Sequence, residues 1–373
     1  MFPFAFKNKS IVGLDLGTTS IKGAELRRSG AKWQLHRIGS LPVSPKAMSN
    51  GKIKDKDAVV QVLRDLWSSS RFDSKQVALS VGGPSVIIKK IQVAQMSEMD
   101  LEDVIRTESE EHIPFDIAEV YLDFQILGQT EKGMDVLLTA CKKELVDIRL
   151  EVIREAGLDP VLCDVDLFSV ANSFAAFCLP AQDKPSGKKP PPKTPAPDAT
   201  EKLDVTALVN IGAASLNLAI IANGMPEFTR DHSFGGERMV QEIMQQQETS
   251  GEEAELMLRS GTDSRNRPWP AESRELIILP FLEQAGNLIK QSMDFYHASH
   301  ANHRVAALYL SGGCAMLPEI NSKLNSILNI QVKTANPLAA LLGKSTPPIQ
   351  PETAPCYMVA LGLATRGEER NHP

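Results

Sequence analysis

Apolar and polar positions along this chain alternate between strand and helix periods, and the switches define the elements. Residues 10–43 read as three strands in succession, the first two joined by a short turn of glycine and hydroxyl residues and the third covering 33–38. Ala58, Val59, Val62, Leu63 and Leu66 then recur at helical spacing, which predicts a helix over 57–67, and 76–81 is a short apolar run of the buried-strand type. Residues 86–93, 120–127 and 134–140 alternate as strands. Helices are expected at 97–112 and 142–156. The first opens on a capping-box-like Ser97 with Asp100 three positions on and is stopped by Pro114; the second stops at Gly157. Residues 160–165 return to strand. Beyond residue 205 the pattern predicts a hairpin, helices at 237–247, 251–258 and 272–297, a buried strand at 305–310, a helix at 319–328 and a small-residue helix at 358–365. Residues 181–200, rich in Pro and Lys, have almost nothing to bury and are expected to form a disordered spacer.

Candidate chemistry begins in the first hairpin. Gly17, Thr18 and Thr19 follow an apolar strand that carries Asp15, and Lys22 stands on the returning strand. Such a turn directs backbone N–H groups and hydroxyls at one point and suits a phosphate. Asp15 is placed to hold the water shell of a metal ion, and Lys22 to act as a point charge. A fainter copy lies at 207–220, where Asn210 matches Asp15, Gly212 matches Gly17 and Ser215 matches Ser20, with Ala213 and Ala214 in the turn. Two matching hairpins predict two matching half-domains around a shared cleft. Gly312 and Gly313 end a strand and lack side chains, so a base or ribose can pack on their backbone. Each piece alone is also what an ordinary turn contains; their order carries the reading.

Composition narrows the classes. A chain of 373 residues has room for two cores, and a net charge of -6 argues against broad nucleic-acid binding. No apolar run reaches the roughly 18 residues of a membrane span, and the first residues are too few for a signal peptide. Five scattered cysteines without Cys-x-x-Cys spacing fit structural thiols in a reducing cytoplasm.

The order of phosphate hairpin, insert, second hairpin, Gly-Gly loop and small-residue helix resembles the actin-like ATPase superfamily, an α/β fold of two duplicated ribonuclease H-like domains around a nucleotide cleft. Residues 106–115, Tyr121–Phe124, Asp164–Asp166, Phe234–Gly236 and 361–366 are similar, more narrowly, to the PilM family of type IV pilus assembly proteins, which shares its inserted α+β subdomain with FtsA. The resemblance implies a first domain begun by 1–82 and completed by a connecting helix at 163–180. It also implies a partner-binding insert at 83–162, a linker at 181–204, a second domain at 205–355 and a returning helix at 356–373. It implies ATP and Mg²⁺ as ligands, with Glu255 and Met316 on the adenosine side beside Gly312 and Gly313, and Asp15 binding the metal through water. Asp15 and Asp166 are the catalytic candidates; the other reading of Asp166 is a cap for the helix that begins at Leu167.

Two positions depart from the superfamily. Asn210 stands where an Asp is usual, and Leu258 where a basic residue is expected, with Arg259 next to it. The expected activity is therefore weak ATP hydrolysis at most, in a cytoplasmic scaffold held at the inner membrane through its partners. The resemblance implies as partners the short cytoplasmic tail of a PilN-like membrane protein and the pilus motor ATPases, with self-association possible and no direct membrane insertion. Acidic Glu108, Glu110 and Glu111 are candidates for the partner groove. The alternatives are an adaptor of the same complex without nucleotide, or a phosphotransferase of the sugar-kinase type.

Overall fold

The computed structural model describes residues 10–30, 32–108, 113–130, 133–179, 203–222, 224–341 and 350–367. The chain opens with an antiparallel meander, β1 (Val12–Leu16), β2 (Ser20–Ser29) and β3 (Lys32–Pro42). A small hairpin of β4 (Met48–Ser49) and β5 (Lys52–Ile53) follows, turned by Asn50 and Gly51 at φ 50° and 72°. Asn-Gly is the pair that favours such a turn. Asp55 then accepts a hydrogen bond from the Ala58 N–H and starts α1 (Lys56–Ser70), which leads to β6 (Gln76–Val81).

Next comes a separate three-stranded sheet of β7 (Val86–Val93), α2 (Glu98–Glu108), β8 (Val120–Thr130) and β9 (Gly133–Lys142), in the order β7-β9-β8. Alternation explains its one covered face: Ile91, Val136, Leu138 and Ala140 point the same way and pack against Leu101 and Ile105 of α2. The chain then returns through α3 (Lys143–Glu155), β10 (Asp159–Val165) and α4 (Asp166–Ser173), the last running on into a π turn over Phe174–Cys178. Val152 and Ile153 of α3 pack with Val59 and Leu63 of α1, and β10 pairs with β6. The inserted sheet's last strand ends at Lys142, and α3 packs on the layer of α1 through long-range contacts.

The second half repeats the first. It contains β11 (Leu203–Ile211), β12 (Leu216–Ala222), β13 (Met225–His232), α5 (Glu237–Gln247), α6 (Gly251–Ser260), α7 (Ala271–Ser299), β14 (His303–Ser311), α8 (Ile320–Leu328), β15 (Gln331–Thr334) and α9 (Met358–Thr365). β11 starts inside the expected linker, at Leu203. The rest of that linker lies outside the described residues, as do Glu110, Glu111 and the side chain of Glu108. The sheets read β10-β6-β1-β2-β3 and β15-β14-β11-β12-β13, with the first three strands of each parallel and the last two antiparallel. Open sheets of this kind bind ligands beyond the carboxyl ends of the parallel strands. Those ends carry Asp15, Val81 and Val165 in one sheet, and Asn210, Ser311 and Thr334 in the other.

Two helices cross between the halves. α4 leaves the first sheet, and its Leu167 and Val170 pack with Leu208 and Ala219 of the second. α9 leaves the second half and lies on β1, where Gly13 meets Ala364. The two helices cross at Gly362, whose missing side chain lets the Ser169 backbone come close.

Candidate functional site

Strand register gives the repeat a geometric form. The last pairs before the turns are Leu16↔Ile21 and Ile211↔Leu216, and the pairs behind them are Asp15↔Lys22 and Asn210↔Asn217. Each turn therefore spans four residues, Gly17 to Ser20 and Gly212 to Ser215. In the first, the Lys22 ammonium lies 3.1 Å from Asp15 Oδ2 and 3.4 Å from the Ser20 carbonyl. Burial alone would lower the Lys22 pKa; the Asp15 carboxylate, with smaller help from Cys356 and Tyr357, outweighs it and holds the lysine above its ordinary value. Thr18 is buried and Thr19 half-buried. In the second turn, Gly212 N–H donates to the Ser215 carbonyl at 2.9 Å. The carbonyls of Gly212 and Ala213 accept from Gly236 and Glu237 at 3.0 and 2.9 Å, so the Phe234–Gly236 segment clamps this turn onto the start of α5. Asn210 turns its Oδ1 to the Ser311 hydroxyl at 3.2 Å.

The floor between the turns is acidic. Asp166 is the first residue of α4, whose cap is Val165 with no side-chain bond, so the capping role is not what Asp166 does. Burial raises its pKa to about 6, against a hydrogen bond from Ser80 and the Arg149 charge, with Asp15 and Asp231 pushing it further up. Asp231 on β13 was not legible as a site residue in the sequence. It accepts from Asn217 Nδ2 at 2.7 Å, and burial raises its pKa. Asp164, two residues before Asp166, instead meets Arg366 at 3.3 Å.

The Asp166 shift has a testable consequence. Between pH 3.8 and about 6 the unfolded chain releases a proton that the folded chain keeps, so stability from this group falls as pH rises through that window. Asp166→Asn is expected to raise stability at pH 8 by about 1–3 kcal/mol and to change little at pH 4, read from urea unfolding at both pH values.

On the opposite wall Gly312 has φ 85°, and a Cβ there would stand 2.8 Å from Asn210 Oδ1, which ties the Gly-Gly loop to the second turn. Gly313 faces open space, with nothing within 4 Å of a Cβ position. Met316 is exposed and its sulfur accepts from Cys356 at 3.7 Å. Burial pushes the Cys356 thiol up, with the Lys22 charge acting against it. Glu255 pairs with Arg259 at 2.6 Å, while Leu258 packs against the second core. At the mouth, the Asn50 N–H lies 3.3 and 3.2 Å from the two carboxylate oxygens of Glu237, a contact from the β4-β5 hairpin to the second half.

The structure places Asp15 and Lys22 together at the first turn, where the Asp15 charge also acts on Asp166, and ties Asn210, Gly212 and Gly312 to one another at the second. Two turns of backbone, one buried lysine and a wall without side chains fit a nucleotide with its phosphates between the halves. Two other features lie elsewhere. Glu25, His36 and Asp73 bring their donor atoms within 4.8 Å of one another at the far side of the first sheet, but Arg27 already pairs with Asp73 at 2.5 Å. A cavity of about 500 Å³ between α7, β14 and the end of α8, lined in part by His297 and Arg304, contains none of the cleft residues.

Comparison with known proteins places this geometry. The model of a family described as type IV pilus assembly protein PilM matches residues 13–368. A solved PilM-PilN type IV pilus biogenesis complex is 26% identical, with a TM-score of 0.79 over 97% of this chain and 99% of the other. The ethanolamine utilization protein EutJ from Carboxydothermus hydrogenoformans is 16% identical, with a TM-score of 0.55 over 95% of this chain and 88% of that one, a likeness of fold. The architecture is the actin-like α/β fold.

Proposed function

Because this chain belongs to the PilM family of type IV pilus assembly proteins, we propose that it is a cytoplasmic scaffold of the pilus assembly platform. In this reading it binds the cytoplasmic tail of a PilN-like membrane protein and links it to the pilus motor, with ATP as a ligand that fixes the angle between the halves. The observation that carries the reading is the likeness, over 97% of the chain, to a PilM solved in complex with PilN. No described helix is long and apolar enough to cross a membrane; in this reading the partner tail supplies the membrane attachment.

Within the cleft, the turns at Gly17–Ser20 and Gly212–Ser215 hold the phosphates from both sides. Lys22 supplies positive charge, and Asp15 orders water on the metal. Gly312, Gly313 and Met316 form the wall for the base, and Glu255 faces the ribose side. Bound ATP with Mg²⁺ would supply the charged phosphate chain and hydrated metal that these residues would hold. Asp166 is the residue for positioning water. Asn210 lacks the charge that an Asp would bring, and its Oδ1 is already engaged by Ser311 at 3.2 Å. Turnover is therefore expected below about 1 s⁻¹, the low end of ordinary enzymes, and nucleotide acts by its differential affinity for two cleft angles.

The test is a titration of a fluorescent peptide of the PilN-like cytoplasmic tail with the full chain, beside an ATPase assay. Saturable binding with slow turnover is expected; absence of tail binding contradicts the scaffold role. A second reading, an adaptor without nucleotide, is favoured by the same engaged Asn210. A thermal melt with and without ATP and Mg²⁺ separates the two, since a ligand bound only by the native state raises Tm.

A further inference from the structure

The second half holds another hollow, at the opposite end of β14 from the cleft. β15 joins β14 late: their pairing begins at Ala307↔Gln331, so residues 304–306 of β14 have no strand on that side among the described residues. α8 stops at Leu328, and Asn329 turns the chain at φ 53° before β15 starts. α7 closes the third side, and the space left between these elements is the cavity of about 500 Å³, within the usual size of a small-molecule pocket. Met293, Val305 and Leu328 are buried and give it an apolar floor. Its exposed lining residues include two cations, Lys290 and Arg304, against one carboxylate, Asp294. His297 also lines it, and the Nε2 of that ring is buried with no hydrogen-bond partner. Such an orphan costs free energy until the ring meets a partner, and a ring turned toward the cavity would meet one on a bound anion.

We propose that this cavity is a binding site for a small organic monoanion, a carboxylate on an apolar body, separate from the nucleotide cleft. The apolar body lies on Met293, Val305 and Leu328, and the carboxylate meets Lys290 and His297 at the wall. Hydrogen bonds to a charged acceptor are the stronger kind, which gives the carboxylate its advantage over a neutral head group. Arg304 already has a contact of its own, so Lys290 is the cation on which the site depends. One positive charge in excess among the lining residues suits a monoanion better than a phosphate dianion. The cavity lies beside Arg304 and the cleft beside Ser311, at the two ends of one strand and roughly 20 Å apart along it, so one small ligand does not reach both.

The inference goes beyond the proposed function and does not depend on it. Calorimetric titration of the full chain tests it with octanoate as the probe and octanol as the same body without the charge. One saturable octanoate site is expected in the wild type, with octanol at least about tenfold weaker. Lys290→Met, at an exposed position, is expected to weaken octanoate by about fivefold or more and to leave octanol within about twofold. His297→Phe keeps an apolar ring but removes the orphan nitrogen; it is expected to weaken octanoate while Tm stays at or above that of the wild type. Ala306→Trp, placed on the exposed edge of β14, fills the cavity and is expected to abolish binding of both compounds. Saturating ATP with Mg²⁺ is expected to leave the octanoate Kd within about twofold. The inference is overturned by a wild type with no saturable octanoate site, by octanol that binds as tightly, or by a Lys290→Met protein whose octanoate affinity is unchanged. Octanoate displaced by ATP overturns it as well, because that places the probe in the cleft.

Discussion

Asp15→Ala is expected to destabilise the protein by about 2–4 kcal/mol, somewhat less than the roughly 3–5 kcal/mol for breaking a fully buried ion pair. The Lys22 ammonium lies 3.1 Å from Asp15 Oδ2, and the two side chains are 14% and 19% exposed, so the pair is largely but not wholly shielded from water. Removing the carboxylate leaves a cation in the turn with the Ser20 carbonyl at 3.4 Å as its remaining partner. The sign with pH follows from the raised lysine pKa. Its contribution is fully present below the ordinary value of 10.5 and is lost only as pH rises through the higher folded value, so acid and neutral melts see the same term. In the variant that support is gone, and Lys22 gives up its proton more readily than in the wild type. Urea unfolding at pH 7 measures the loss. The double variant Asp15→Ala/Lys22→Met is expected to recover part of it, which separates an orphaned charge from a general packing defect. The same substitution is expected to lower affinity for ATP with Mg²⁺, because it removes the residue assigned to the metal's water shell.

Gly362→Val is expected to cost about 3 kcal/mol or more, at the upper end of what overpacking does. A Cβ at Gly362 would stand 2.5 Å from the Ser169 carbonyl carbon and 3.0 Å from its Cα, both backbone atoms that cannot rotate away. The contact sits where α4 and α9 cross, and α9 is further held by Gly13, whose own Cβ position is 2.5 Å from Ala364 N. Relief would require the helices to part. That would loosen Leu167 and Val170 from Leu208 and Ala219, and with them the packing between the halves. Gly251→Ala is the control: its nearest neighbour to a Cβ is a flexible Met244 sulfur at 3.5 Å, and the position opens α6, so little loss or a small gain is expected. Denaturant melts of both variants are the measurement.

The sequence carried the parts of this structure that are local. Both hairpins were legible because each is a short apolar strand, a small-residue turn and a returning strand. The register later placed Asp15 opposite Lys22 and Asn210 opposite Asn217 at equivalent steps. The helices over Glu237–Gln247 and Met358–Thr365 followed from spacing and punctuation alone. What depended on distant partners did not show. Asp231 is a polar residue on an edge strand, a pattern shared by many solvent-facing positions, and its partner Asn217 lies 14 residues away on the neighbouring strand. α3 follows the inserted sheet directly in the chain, so nothing local assigned it to the layer of α1. Arg259, beside the Leu258 that stands where a basic residue is expected, makes an i,i+4 pair with Glu255, which follows from helix spacing. The β4-β5 hairpin has two-residue strands, too short for alternation to mark, although its Asn50-Gly51 turn was there to be read.

The central claim is that the two glycine-bearing turns and the Gly312-Gly313 wall enclose one nucleotide, and calorimetric titration of the chain with ATP and Mg²⁺ tests it most directly when wild type and Gly313→Leu are compared. A Cβ at Gly313 meets nothing within 4 Å, so the added side chain leaves the fold and its melting temperature unchanged and fills the space assigned to the nucleoside. The account predicts one site in the wild type and a loss of affinity of about thirtyfold or more in the variant, roughly 2 kcal/mol. A wild type that takes up no ATP, or a Gly313→Leu protein that binds it equally well, would contradict the account.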